Sequence, residues 1–287
     1  MQLDDNLVHS EEGTYETEPG VSLSYVVSGP LSPRTGAAPP LRPQENDSRP
    51  PRTTTRLALI AHPWSRLGGS KRDHVVVALE SVLVSEGYSV VRYDSRGAGE
   101  SQGVPTWTGD SERQDFEVIL HKIVLPLASI DLDCPRNGTD DTSTTSPSID
   151  LVLCGYSFGA LVASACPPPP PPRSSPRQAI RTRYLLLSYP LSVLWALTAF
   201  RTGPFTLALR DRVSTDRRRV CIAYGTRDQF SSCAKLDAWA TALVASAASE
   251  DGHGTVDVVR VDGADHFWAK ASQKRELVDR VAEWVRT

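Results

Sequence analysis

The sequence predicts one α/β domain over residues 1–287, with a mostly parallel central sheet and helices on both faces. Three observations predict it. Short, nearly continuous apolar runs recur along the chain, they alternate with longer amphipathic stretches, and each run stops at glycine, proline or a polar turn. Strands that are apolar throughout are covered on both sides, which is the condition of a parallel sheet between helices. In chain order, Gly13 to Ser28 alternates in polarity and reads as an antiparallel edge pair. LALIAH (57–62) is a buried strand, followed by a helical pattern from Asp73 to Glu86. YSVVRYD (88–94) is the next strand, and 110–129 the next helix. IDLVLCGY (149–156) leads into a short helix over 158–165. YLLLSYP (184–190) and RVCIAYG (219–225) are strands, 232–248 is helical, 256–261 is a strand, and 271–286 is the last helix.

Three stretches interrupt this pattern. Residues 30–55 hold seven prolines, 131–148 read DLDCPRNGTDDTSTTSPS, and 166–176 contain six consecutive prolines from Pro167 to Pro172. Proline fixes φ and lacks the amide donor, so such segments continue neither a helix nor a central strand. They read as flexible surface insertions. Asn46 and Asn137 each begin a glycosylation sequon, read as chance matches.

Composition excludes several function classes. Thirty-one basic and 34 acidic residues leave a net charge of −3, with no dominant Lys/Arg block. A nucleic-acid platform is therefore not expected. The five cysteines, at 134, 154, 166, 221 and 233, contain no CxxC pair, so neither a metal site nor a disulfide framework is expected. No apolar run approaches the ~20 residues of a membrane span. The acidic N-terminus reads as no secretory signal, so a cytoplasmic location is expected. No dinucleotide, phosphate-loop or metalloprotease motif is present, and no cofactor is expected.

The chemistry sits where strands end. Gly155-Tyr156-Ser157-Phe158-Gly159 fits G-x-S-x-G between a strand and a helix, the nucleophile elbow. A turn this tight holds the serine in a strained backbone, and flanking glycines leave room for neighbouring chain. A serine hydroxyl needs a base, and the base needs an orienting acid, in the order Ser, Asp/Glu, His for this elbow. Asp228, in Tyr224-Gly225-Thr226-Arg227-Asp228, follows the fifth of the apolar strands. His266, in Gly263-Ala264-Asp265-His266-Phe267, follows the last. Asp265 is the weaker acid candidate, because adjacent side chains in a loop diverge. His9, His74, His121 and His253 have no comparable context.

The loop His62-Pro63-Trp64-Ser65-Arg66-Leu67-Gly68-Gly69, the turn Asp94-Ser95-Arg96-Gly97-Ala98-Gly99-Glu100-Ser101 and the G-x-S-F-G elbow together resemble the α/β-hydrolase superfamily. The likeness is to its small single-domain serine hydrolases and covers the chain from about Leu57 onward. Trp64 stands where the family loop more often reads HG or HPHP. The resemblance implies a Ser157–Asp228–His266 catalytic triad and an oxyanion hole made by the backbone amides of Trp64 and Phe158. His62 then anchors its loop, and residues 94–101 form a structural turn. It also implies a short lid in residues 191–218, where Leu191, Val193, Leu194, Trp195, Leu197, Phe200, Phe205 and Leu207 either pack on the sheet or line an acyl pocket with Trp64 and Trp107. The expected function is hydrolysis of an ester or related acyl bond in a small molecule. A catalytically idle binding module and a non-hydrolytic tailoring enzyme on the same fold are the alternatives. Oligomeric state is left open.

Overall fold

The computed structural model describes residues 10–18, 20–30, 54–128, 148–171, 179–214, 219–248 and 254–287. Most of the three insertions, both sequons, Cys134, His9 and His253 lie outside the described residues. The described strands form one eight-stranded sheet in the order β1-β2-β4-β3-β5-β6-β7-β8. β1 (Ser10–Glu18) and β2 (Val21–Ser28) make the expected antiparallel pair, and β2 joins the sheet antiparallel to β4 (Ser89–Tyr93). β3 (Thr54–Ala61), β4, β5 (Ser148–Tyr156), β6 (Ala179–Leu187), β7 (Arg219–Gly225) and β8 (Thr255–Val261) run parallel. β1 alternates exposed and half-buried residues and carries four glutamates, a charge pattern that blunts an edge strand.

Both faces are covered because alternate residues of the central strands are apolar in both directions. One face packs on α2 (Asp110–Ile119, continued by a wide turn over Leu120–Val124), α3 (Phe158–Ala165), α5 (Thr202–Ser214) and α6 (Cys233–Ala247). The other packs on α1 (His74–Ser85) and α7 (Ala271–Arg286). α7 buries Leu277, Val281, Trp284 and Val285, the spacing of a single helical stripe. Each fully buried Leu, Ile or Val side chain contributes about 1.5–3 kcal/mol.

Three boundaries differ from the sequence reading. β6 begins at Ala179, five residues earlier than its apolar run, because Arg183 is buried and paired rather than solvated. Thr54, Thr55 and Ser148 belong to paired strands rather than insertions, with Thr54 opposite Ser148. Beyond α3, Cys166 turns the chain into an extended path on which Pro169 is buried, so the proline stretch starts on the domain surface rather than clear of it.

The strand order fixes where a site can form. From β3 the chain crosses to β4 on one side, then returns past β3 to β5 on the other. The loops leaving β3 and β5 therefore diverge, opening a crevice at the carboxyl ends of these neighbouring strands. Ala61 of β3 lies opposite Gly155 of β5 at that edge.

Candidate active site

Ser157 stands between β5 and α3 with φ 56° and ψ −117°, a left-handed-side conformation rare outside glycine. Its amide donates to Leu187 O at 2.8 Å, which ties the strained residue to β6. The flanking glycines answer to close approach. A Cβ on Gly155 would lie 2.0 Å from Gly159 O, and one on Gly159 would lie 2.3 Å from Ala61 O. The elbow therefore packs backbone on backbone, which holds the Ser157 hydroxyl at the crevice.

His266 and Asp228 come to the same place from the ends of β8 and β7. His266 Nε2 lies 2.8 Å from Ser157 Oγ, and Nδ1 lies 2.6 Å from Asp228 Oδ2. A carboxylate only accepts hydrogen bonds, so Nδ1 carries the proton and Nε2 is left to accept from the serine. Asp228 Oδ1 accepts from the amides of Phe230 (2.8 Å) and Ser231 (2.9 Å), which fixes the carboxylate. All three side chains lie in a largely dry setting, since the residues are 8%, 3% and 8% exposed for Ser157, His266 and Asp228. Asp265 is turned to other work, with Oδ1 accepting from Ala269 N at 3.0 Å.

The imidazole is held by residues that sequence reasoning did not single out. Gln229 Oε1 accepts from His266 N at 2.9 Å, and Tyr156 Oη donates to His266 O at 2.8 Å. Burial, with the nearby carboxylates of Asp73, Asp228 and Asp265, pushes the Tyr156 phenol well above its ordinary range, so it stays a neutral donor. Phe230 meets the His266 ring edge-on at 4.5 Å between centroids. Adjacency was the available signal, because Tyr156 and Gln229 each border a motif residue.

The loop after β3 closes the opposite wall. His62 is buried, with Nε2 accepting from Ser95 N at 2.9 Å and Nδ1 donating to Pro63 O at 2.5 Å. Burial pushes its pKa below the ordinary histidine value, consistent with a neutral ring satisfied at both nitrogens. Asp94 Oδ1 accepts from Lys71 N (2.7 Å) and Oδ2 from Lys71 Nζ (2.9 Å) and Glu100 N (3.0 Å). This joins the 62–71 loop to the 94–101 turn and gives Lys71 an anchoring place. The Trp64 and Phe158 amides, at the loop and at the first turn of α3, donate to no described residue. The first amides of a helix lack intrahelical acceptors.

These walls enclose a cavity of about 330 Å³ reached by Ser157 and His266 and lined by Trp64, Trp107, Val193, Leu197, Phe230 and Phe267 among others. The 191–218 segment divides between the two roles considered for it. Leu194, Phe205 and Leu209 join the core, Val193 and Leu197 line the cavity, and Trp195, Phe200 and Leu207 are exposed. It forms two helical pieces, α4 (Leu194–Leu197) and α5.

Residues 41–121 match the family of X-Pro dipeptidyl-peptidases (S15 family), a span that holds the 62–71 loop and 94–101 turn and ends before Ser157. No curated protein sequence matches the chain. Among solved structures, it is similar to an α/β serine hydrolase without lid from Xanthomonas campestris (TM-score 0.59, 18% identity, 96% of this chain and 94% of that one). It is also similar to an esterase from Pyrococcus furiosus (TM-score 0.57, 17% identity, 97% and 92%). An α/β serine hydrolase homologue from Coxiella burnetii aligns over 95% and 96% with a TM-score of 0.57 at 18% identity. Among the described residues, no helix is long and apolar enough to cross a membrane. By sheet order, by the turn that carries Ser157 and by these likenesses, the chain is an α/β-hydrolase-fold protein.

Proposed function

We propose that this protein is a serine hydrolase that cleaves an ester or related acyl bond, with Ser157 as nucleophile, His266 as general base and acid, and Asp228 as the orienting acid. The observation that carries the reading is the unbroken contact Asp228–His266–Ser157, at 2.6 and 2.8 Å, opening into an apolar cavity. Ser157 Oγ attacks the acyl carbon while its proton passes to His266 Nε2. The Trp64 and Phe158 amides stabilise the negative oxygen that develops. The bond to the alkoxy group breaks, and that group leaves with the proton held by His266. Water then gives a proton to His266 and attacks the acyl-serine, releasing the acid and returning the proton to Ser157. Esterases and serine hydrolases among the similar structures favour an ester over a peptide bond, since the peptidase-family match stops short of Ser157.

A fluorophosphonate probe tests this directly, because it reacts only with an activated serine. Wild-type protein is expected to be labelled, and Ser157→Ala to lose the label while keeping its circular dichroism. A folded wild type that resists labelling overturns the reading in favour of a catalytically idle binding module.

A further inference from the structure

Resting on the hydrolase reading, the cavity says which acyl compounds it takes. Beyond Ser157, His266 and Tyr156, its described lining is apolar, aromatic or glycine with one exception: Asp73 is the single carboxylate, and no Lys or Arg is among the residues that line the space. Asp73 also caps α1, but with one oxygen only. Oδ1 accepts from Val75 N at 2.8 Å and Val76 N at 3.4 Å, and no described residue donates to Oδ2. Capping alone needs no more than that one oxygen. The residue is half-buried, and its charge is felt at Tyr156, next to Ser157. Trp64 and Trp107 meet edge to face at 5.9 Å between centroids, on the same cavity. The outer rim already places a cation on one of these rings, with Arg66 stacked 4.1 Å from the Trp107 centroid. A carboxylate oxygen free of protein donors, in an otherwise uncharged cavity with indole walls, is the chemistry that recognises an ammonium group.

We propose that Asp73 is a specificity residue that directs the site toward acyl esters carrying a positively charged nitrogen. The cation sits against Oδ2 and the tryptophan rings while the ester carbonyl faces Ser157. A cavity of about 330 Å³ holds a small ester of this kind.

The test is isothermal titration calorimetry on the full-length Ser157→Ala protein, which binds without turnover. The two ligands are the choline ester of butanoic acid and its uncharged carbon isostere, the 3,3-dimethylbutyl ester. The choline ester is expected to bind at least about tenfold more tightly, through ion-pair attraction to the carboxylate and contact with the indole faces, since a quaternary nitrogen has no N–H to donate. Adding Asp73→Asn, which keeps the capping oxygen and removes the charge, is expected to abolish that preference. Asp73→Ser, a second residue able to cap, is expected to do the same. Equal affinities, no binding of either ester, or a preference that survives both substitutions overturns the proposal. Turnover of the same two esters by protein with Ser157 intact reads the hydrolase assignment separately. A binding preference without turnover counts against the chemistry and not against the ammonium site.

Discussion

The two ends of the sheet both bury carboxylates, and they treat them in opposite ways. At the amino end of β5, Asp150 is clamped by Arg183, with contacts of 3.1 and 2.7 Å, and by Tyr88 Oη at 2.8 Å. Arg183 is itself fully buried and also donates to the Val285 carbonyl at 3.2 Å, locking α7 to the sheet. Beside it, Arg219 pairs with Asp257 at 2.8 Å, and Trp284 Nε1 donates to the same carboxylate at 2.9 Å. Every partner there is a donor: guanidinium, phenol or indole N–H. At the carboxyl end, Asp228 faces His266, the side chain best suited to gaining and losing a proton, and that histidine faces a serine in a strained backbone. Burial of charge serves rigidity at one end and, on the proposed function, movable protons at the other.

The sharpest way to break this contrast is at Asp228. Asp228→Asn is expected to lower kcat by about 10⁴-fold, because an amide can hold the imidazole in the wrong tautomer. Steady-state kinetics on a p-nitrophenyl ester checks it, with the urea midpoint shifted only slightly. At the opposite end the effect moves to stability. Arg183→Met leaves Asp150 buried without its cation, and is expected to cost about 3–5 kcal/mol in urea unfolding. Turnover per folded molecule stays near wild type. A large activity loss with unchanged stability would mean that the two ends are not separate systems.

The smallest effect concerns pH. His62 is held neutral by burial, so its folded pKa lies below that of the unfolded chain. The unfolded state then binds the extra proton first, and stability falls as pH drops below about 6.5. Urea midpoints measured from pH 7.5 down to 5 are expected to decline in wild type. The decline should be shallower in His62→Gln, whose amide does not titrate in this range. Parallel declines would show that the acid sensitivity comes from elsewhere.

Much of this was legible in the sequence because punctuation survives without a structure. Glycines at 155 and 159 mark a turn that admits no side chain, and Asp228 and His266 follow apolar runs that end in turns. Those features are local. What stayed hidden depends on contacts between distant segments. Arg181 and Arg183 made the first half of β6 read as loop, since nothing in the chain says that Asp150 waits on the neighbouring strand. The loop from Gly225 to Phe230 likewise gave no sign that Gln229 would hold the His266 backbone. Asp73 read as the beginning of a helix, which it is, while its second oxygen and its place in the cavity appear only when β3 and β5 stand side by side.

The Ser157–His266 contact spans 109 residues of sequence. A separation of that size makes the pair a late arrival in folding, because loop closure across such a distance waits on the elements between. On the proposed reading, the serine has no base and is chemically ordinary until β7 and β8 have docked. If Ser157 is the proposed nucleophile, a reagent that reports its reactivity counts completed molecules in a refolding mixture.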